Sequence, residues 1–294
     1  MTSVILDTLS KVPEPYRKIR ASVRATLRSL HLTWHLFWGL LKALLLKNRY
    51  GENWHQTTPG KQAILAWMRR LCRIMGLRVT AMGKPTSAPV MLAANHVSWL
   101  DIIAIGSLTP VRFLAKSDVR SWPIIGALAR LTGTLFIQRH SHKAAHETQQ
   151  YLAQTLSNQE TIVIFPEGTT TNGHNMQAFK PALFEASRLA NCLIQPVAIR
   201  YWRNNVLDPI APYIDDDAFV THLWRVMRAK QTKVNIHFCP TLQSTAPRRT
   251  LATLCQQVIQ TELESNYPEM TNTQETPAIK GVDDNAVEDN VQAA

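Results

Sequence analysis

Two short polar stretches hold residue types that can do chemistry. The first, Asn95-His96-Val97-Ser98-Trp99-Leu100-Asp101, directly follows the apolar run Val90-Met91-Leu92-Ala93-Ala94. A strand there delivers His96 to a loop, and Asp101 can point back toward that loop from the start of the next helix. An imidazole with a carboxylate on one nitrogen keeps its other nitrogen free to take a proton. The same residues suit a plainer role, because Ser98 and Asp101 have the spacing of a helix capping box. The second stretch, Phe165-Pro166-Glu167-Gly168-Thr169-Thr170-Thr171-Asn172-Gly173, follows the buried-strand run Thr161-Ile162-Val163-Ile164. Gly168 permits close backbone approach to a ligand, and Glu167 can accept hydrogen bonds from a polyol hydroxyl. Without a ligand the same loop is an ordinary polar turn. Three cations complete the set: Lys116 ends Arg112-Phe113-Leu114-Ala115-Lys116, Arg139 ends Gly133-Thr134-Leu135-Phe136-Ile137-Gln138-Arg139, and Lys180 opens a helix. Together they can converge on a phosphate, although each taken singly is an ordinary solvated charge.

These loops need a scaffold, and the apolar patterning supplies one. Short apolar runs predict strands near 77–82, 89–94, 111–115, 134–138, 161–165, 193–200 and 232–239. Helical patterns fall near 61–76, 98–107, 122–131, 143–157, 180–190, 215–229 and 248–265. Strands alternating with helices predict an α/β fold, a mixed and largely parallel sheet flanked by helices. Reactive loops in such sheets lie beyond the strand ends.

Residues 1–60 form a separate helical segment that meets a membrane. Arg20, Arg24 and Arg28 recur every four residues and stack on one helical face. Ile19, Val23, Leu27 and Leu30 lie along another, continued by Trp34, Phe37, Trp38 and Leu41. Basic and aromatic residues on separate faces describe a helix lying in the bilayer interface. Leu30–Leu46 is 17 residues long and carries Lys42 and two histidines, at the short limit for a span. No small-residue cleavage site follows Leu46, so a signal peptide is not expected. The α/β domain then runs over 61–267, and 268–294 reads as a disordered acidic tail.

Composition narrows the function. The chain has 294 residues with a net charge of +11, and 45% of residues are hydrophobic, enough to build a core. Six acids against one lysine in 269–294 leave residues 1–268 at +16, a body suited to a polyanionic partner. No helix-turn-helix, zinc-finger or RNA-binding aromatic signature accompanies the charge, so nucleic acid is not expected. The four cysteines, at 72, 192, 239 and 255, form no C-x-x-C pair and read as reduced thiols. His140, His142 and His146 have no suitably spaced carboxylate beside them and read as a solvated helix start, so no metal is expected.

The order N-H-V-S-W-L-D, G-T-L-F-I-Q-R, F-P-E-G-T, then Gln195-Pro196-Val197-Ala198-Ile199 closely resembles the glycerophospholipid (lysophospholipid) acyltransferase family, over roughly residues 65–240. Its bacterial 1-acylglycerol-3-phosphate acyltransferases are the nearest type. The resemblance implies a membrane-associated enzyme, on the cytoplasmic face of a bacterial inner membrane. It moves an acyl group from acyl-CoA or acyl carrier protein, as co-substrate without a further cofactor, to a lysolipid hydroxyl. It makes His96 the general base, Asp101 its orienting partner, Arg139 a phosphate contact, and Glu167 and Gly168 acceptor-binding residues. Thr169, Lys116 and Lys180 complete the expected substrate contacts. Many members carry Arg after F-P-E-G-T, where this chain has Thr170. The expected acceptor is 1-acylglycerol-3-phosphate, giving phosphatidic acid, with lyso-ornithine lipid or another lysophospholipid as the alternative. A catalytically inactive membrane scaffold is the alternative of another class.

Overall fold

A computed structural model describes residues 13–87, 89–137, 142–214 and 216–265. Arg139 and the tail from 268 onward lie outside the described residues. Helix α1 (Glu14–Tyr50) starts at Pro13 with an acid in its first turn and basic residues in its last, complementing the helix dipole, and Gly51 ends it at φ 82°. Its 37 residues extend about 55 Å at roughly 1.5 Å per residue. A 3₁₀ turn (Trp54–Gln56) leads into α2 (Thr58–Met75), capped by the Thr57 hydroxyl on the Gly60 N–H at 3.1 Å.

The α/β part follows as β1 (Leu77–Met82), β2 (Val90–Ala94), α3 (Leu100–Gly106), β3 (Arg112–Lys116), α4 (Ile125–Leu131), β4 (Leu135–Ile137), α5 (His142–Ser157) and β5 (Ile162–Ile164). Then come α6 (Glu185–Leu189), β6 (Leu193–Arg203), β7 (Val206–Leu207), α7 (Phe219–Arg228), β8 (Thr232–Phe238) and α8 (Arg248–Glu264). Among the described residues the sheet has eight strands in the order β1-β8-β6-β2-β5-β3-β4, with β7 on β6. Pairing is parallel except for β6 with β8 and β6 with β7. The fold is therefore the mixed, largely parallel sheet that the patterning predicts.

Both sheet faces are covered, and β2 shows why its run is continuously apolar. Val90, Leu92 and Ala94 pack into one core with α2, α3 and α7. Met91 and Ala93 pack into the other with α5, α6 and α8. Side chains alternate across the strand, so a strand buried on both faces is apolar at every position. The element predicted at 180–190 splits into a 3₁₀ turn (Pro181–Phe184) and the short α6. The missed hairpin β6–β7 turns on Asn204 and Asn205, with φ 51° and 62°. Two positive φ values in a two-residue loop match the twist of a hairpin, and Asn tolerates them.

Helix α1 is inside out relative to a soluble helix. Its small and polar side, Ala25, His35, Gly39 and Ala43, is buried against the domain. Ile19, Val23, Leu27, Leu30, Trp34, Phe37, Trp38 and Leu45 are 53–65% exposed. At Gly39 a Cβ would overlap the indole of Trp67. Trp67 stacks on His35 and donates to the His35 carbonyl at 3.3 Å. The basic face does not all look outward. Arg28 donates to the carbonyls of Met227, Ala229 and Lys230 at 3.1, 2.6 and 3.0 Å, and Arg24 to Arg228 O at 3.2 Å. The last carbonyls of α7 lack intrahelical partners and carry the negative end of its dipole, which draws these guanidiniums inward. No helix among the described residues is long and apolar enough to cross a membrane.

Candidate active site

Strand β2 ends at Ala94, and the next residue continues the sheet with its side chain. The Asn95 amide accepts from Ile199 N–H at 2.7 Å and donates to Ile199 O at 3.0 Å, one rung beyond the Ala94–Val197 pair. This fixes where the loop departs, and His96 follows immediately.

The imidazole is held by two contacts. Nδ1 donates to Asp101 Oδ2 at 2.8 Å, since a carboxylate can only accept. The ring stacks on Phe165 with centroids 3.9 Å apart. Its side chain is 18% exposed whereas that of Asp101 is fully buried. Asp101 Oδ2 also accepts from the N–H groups of Val97 and Ser98 at 2.8 and 3.0 Å, and Oδ1 accepts from Tyr201 O–H at 2.7 Å. Burial, with Asp101 beside it, pushes the Tyr201 phenol well above its ordinary range, so it stays a donor. With Nδ1 protonated toward Asp101, Nε2 carries the free lone pair.

The capping-box reading is half met. Asp101 reaches back to the Ser98 N–H, but the Ser98 hydroxyl is buried with no hydrogen-bond partner, and α3 begins without a side-chain cap. The Asp101 carboxylate is aimed at the loop rather than shared with a reciprocal serine bond.

The second loop is zipped onto the first. Glu167 is 1% exposed and spends both oxygens on backbone: Oε1 accepts from His96 N–H at 2.6 Å and Oε2 from Gln177 N–H at 2.7 Å. Burial raises its carboxyl above the usual value, and the two N–H donors pull against that. The His96 carbonyl accepts from Thr171 N–H at 2.9 Å, and the Thr170 hydroxyl donates to Tyr213 O. Tyr213 N–H in turn donates to Val97 O at 3.0 Å. The backbone N–H groups of His96, Val97, Ser98 and Gly168 are thus all engaged internally. These four do not serve as the oxyanion donors that loops of this kind often supply.

Gly168 adopts φ 76°, and the Lys180 ammonium lies over it, 2.6 Å from where a Cβ would stand. Thr169 beside it is exposed. Lys116 is exposed at the C-terminal end of β3. Because β2, β3 and β5 run parallel, it lies at the sheet edge that carries both loops. The structure thus brings His96, Asp101, Glu167, Gly168 and Lys180 together and leaves Lys116 on the same rim. Three contributors escape any reading of the motifs: Tyr201, Asn95 as a strand extension, and Trp99. The Trp99 indole donates to His222 Nδ1 at 3.0 Å, so His222 Nε2–H is the group facing Pro212 O at 2.9 Å.

Comparison with known proteins meets the same residues. The family model described as Acyltransferase matches residues 77–200, which include both loops. A lyso-ornithine lipid O-acyltransferase from Pseudomonas aeruginosa is 39% identical over 208 residues, 70% of this chain and 80% of that protein. A 1-acyl-sn-glycerol-3-phosphate acyltransferase from Neisseria gonorrhoeae is 34% identical over 149 residues, 51% of this chain and 58% of its own length. The crystal structure of the 1-acyl-sn-glycerophosphate acyltransferase PlsC from Thermotoga maritima superposes with a TM-score of 0.62 at 19% identity, covering 86% of this chain and 99% of the other, a likeness of fold. Sequence and fold place the chain in the acyltransferase family, and it is an acyltransferase.

Proposed function

We propose that this enzyme transfers an acyl group from an acyl thioester, acyl-CoA or acyl carrier protein, to the hydroxyl of a lysolipid at the membrane surface. The observation that carries the reading is the 2.8 Å bond between His96 Nδ1 and a fully buried Asp101, which leaves Nε2 as the base. Nε2 takes the hydroxyl proton as the oxygen attacks the thioester carbonyl. A C–O bond forms, the C–S bond breaks, and the leaving thiolate takes the proton from His96. Base catalysis of this kind contributes about 10²–10⁴-fold, and holding donor and acceptor together adds more. Asp101 is a positioning residue, and so is Glu167, whose two oxygens are filled by backbone rather than open to substrate.

The acceptor we favour is lyso-ornithine lipid. The 39% identical Pseudomonas relative carries that name, and Thr170, where phosphate-binding members have Arg, spends its hydroxyl on Tyr213 O. Lys180 over Gly168 provides one cation for an anionic head group, a carboxylate as readily as a phosphate. The Neisseria relative supports 1-acylglycerol-3-phosphate as the second acceptor. The exposed apolar stripe of α1 lies in the interface of the cytoplasmic leaflet, so the lysolipid enters without its chain crossing water, which opposes transfer by about 0.8 kcal/mol per CH₂.

A purified-enzyme assay tests this, with labelled acyl-CoA and acyl carrier protein against lyso-ornithine lipid and lysophosphatidate. Transfer to lyso-ornithine lipid is expected to be faster, and His96→Ala to lose about 10²–10⁴-fold while remaining folded. A near-normal rate in His96→Ala would refute the base assignment. Faster transfer to lysophosphatidate would refute the acceptor.

A further inference from the structure

A second cluster of chemistry-bearing side chains lies on the sheet face covered by α8 and shares no residue with the His96 loop. His237 and Cys239 stand two residues apart at the end of β8, the spacing at which extended backbone repeats a side-chain direction. Glu262 comes from α8. The His237 nitrogen, the Cys239 sulfur and a Glu262 carboxylate oxygen all lie within 4.8 Å of one another. His237 Nδ1 and Glu262 Oε1 are 2.7 Å apart, yet Nδ1 is buried and makes no aligned hydrogen bond. The Glu262 oxygen therefore sits off the line on which the ring nitrogen makes a hydrogen bond. Cys239 is 2% exposed, and its thiol lies 3.8 Å from the His237 carbonyl.

We propose that His237, Cys239 and Glu262 form a binding site for one zinc-class divalent cation, with water in the remaining position. Sulfur, imidazole nitrogen and carboxylate oxygen together are a ligand set that zinc accepts. Bonds of about 2.0–2.3 Å put neighbouring ligand atoms of a tetrahedral shell roughly 3.3–3.8 Å apart, so pairs standing as far as 4.8 Å apart close by about 1 Å and the 2.7 Å His237–Glu262 pair opens by about 0.6 Å. Charge favours the same occupant. A thiolate and a carboxylate cancel a dication, giving a neutral centre in a half-buried crevice where uncompensated charge is costly. Coordination of the sulfur as thiolate releases the thiol proton to solvent. The ligands stand on rigid supports. β8 is paired on both sides, by β1 and β6, and α8 is anchored through Leu251, Ala252, Cys255 and Ile259. The ion would tie the end of α8 to the sheet.

The test uses full-length protein stripped with a chelator and titrated with Co²⁺. The expected result is a near-ultraviolet thiolate-to-cobalt charge-transfer band with visible tetrahedral bands, both removed by added zinc. Zinc should also raise Tm, and chelator should reverse the rise. Cys239→Ser should abolish the charge-transfer band and weaken binding more than about 100-fold, since losing even an outer-shell partner costs roughly 10–100-fold. Glu262→Gln, which leaves the thiol in place, should weaken binding while keeping the band, and it carries the test if the serine variant does not fold. No band and no Tm shift in the unmutated protein would overturn the proposal. So would cobalt binding unchanged in Cys239→Ser or in Glu262→Gln, which would place any bound ion elsewhere on the chain.

Discussion

Replacing Tyr201 by Phe removes one oxygen from the interior of the active site and nothing else. That oxygen is 2.7 Å from Asp101 Oδ1, and Tyr201 is only 3% exposed, so no bulk water takes its place. A hydrogen bond to a charged acceptor is worth about 1.5–3 kcal/mol, and Tyr201→Phe should lower the unfolding free energy by roughly that amount. The catalytic effect is more specific. Asp101 Oδ2 keeps its three donors, His96 Nδ1 and the N–H groups of Val97 and Ser98. The carboxylate that loses its Oδ1 partner pulls harder on the Nδ1 proton. If about half of the lost energy passes to that bond, the acid limb of kcat/KM moves up by roughly 0.5–1 pH unit, at about 1.36 kcal/mol per unit. The assay is kcat/KM against pH with a labelled acyl donor and a micellar lysolipid, run beside a urea unfolding curve. An acid limb that stays in place while stability falls would make Tyr201 a packing residue and refute the coupling.

Two further outcomes follow from groups remote from the reaction. Arg28→Ala removes the donor to three carbonyls at and just past the end of α7; because the guanidinium is partly exposed, unfolding in urea should show a loss of about 1–3 kcal/mol, and an unchanged midpoint would mean that water replaces it without cost. His55 is lowered to about 4 from 6.5, first by burial and then by Arg112. The unfolded chain therefore binds the extra proton first, so stability is fully present above pH 6.5 and declines as pH falls toward 4. Urea midpoints measured across that window should fall for the natural chain and fall less for His55→Gln; parallel slopes would exclude His55 as the source.

Much of the scaffold is legible from apolar runs because β2, β5 and β6 are buried on both faces, leaving no polar alternation to confuse them with helices. The pair His96 and Asp101 is legible for a local reason: one loop and the first turn of α3 hold both. Tyr201 is not, because it arrives from β6, a hundred residues later, and a tyrosine in an apolar strand reads as core. Glu167 was visible as an acid in a loop, but whether its oxygens face substrate or backbone depends on where Gln177 and His96 meet it in space. In α1 the arginine spacing was plain. Which face meets the domain was not, since the buried stripe of Ala25, Gly39 and Ala43 carries almost no hydropathy signal and is selected by close approach to Trp67 and α2. The Ser98 cap failed for a geometric reason, because α3 starts at Leu100 and the hydroxyl turns into a closed space.

The inverted α1 has a consequence for anyone handling the protein. A soluble catalytic fragment is normally sought by trimming a greasy leader, but here the leader's inner side roofs Trp67, and its arginines finish the end of α7. Cutting at residue 50 would exchange one oily surface for a freshly opened one. Solubility is better sought by repainting the outer stripe, with serine or glutamate at Trp34, Phe37 and Trp38, while the roof stays in place.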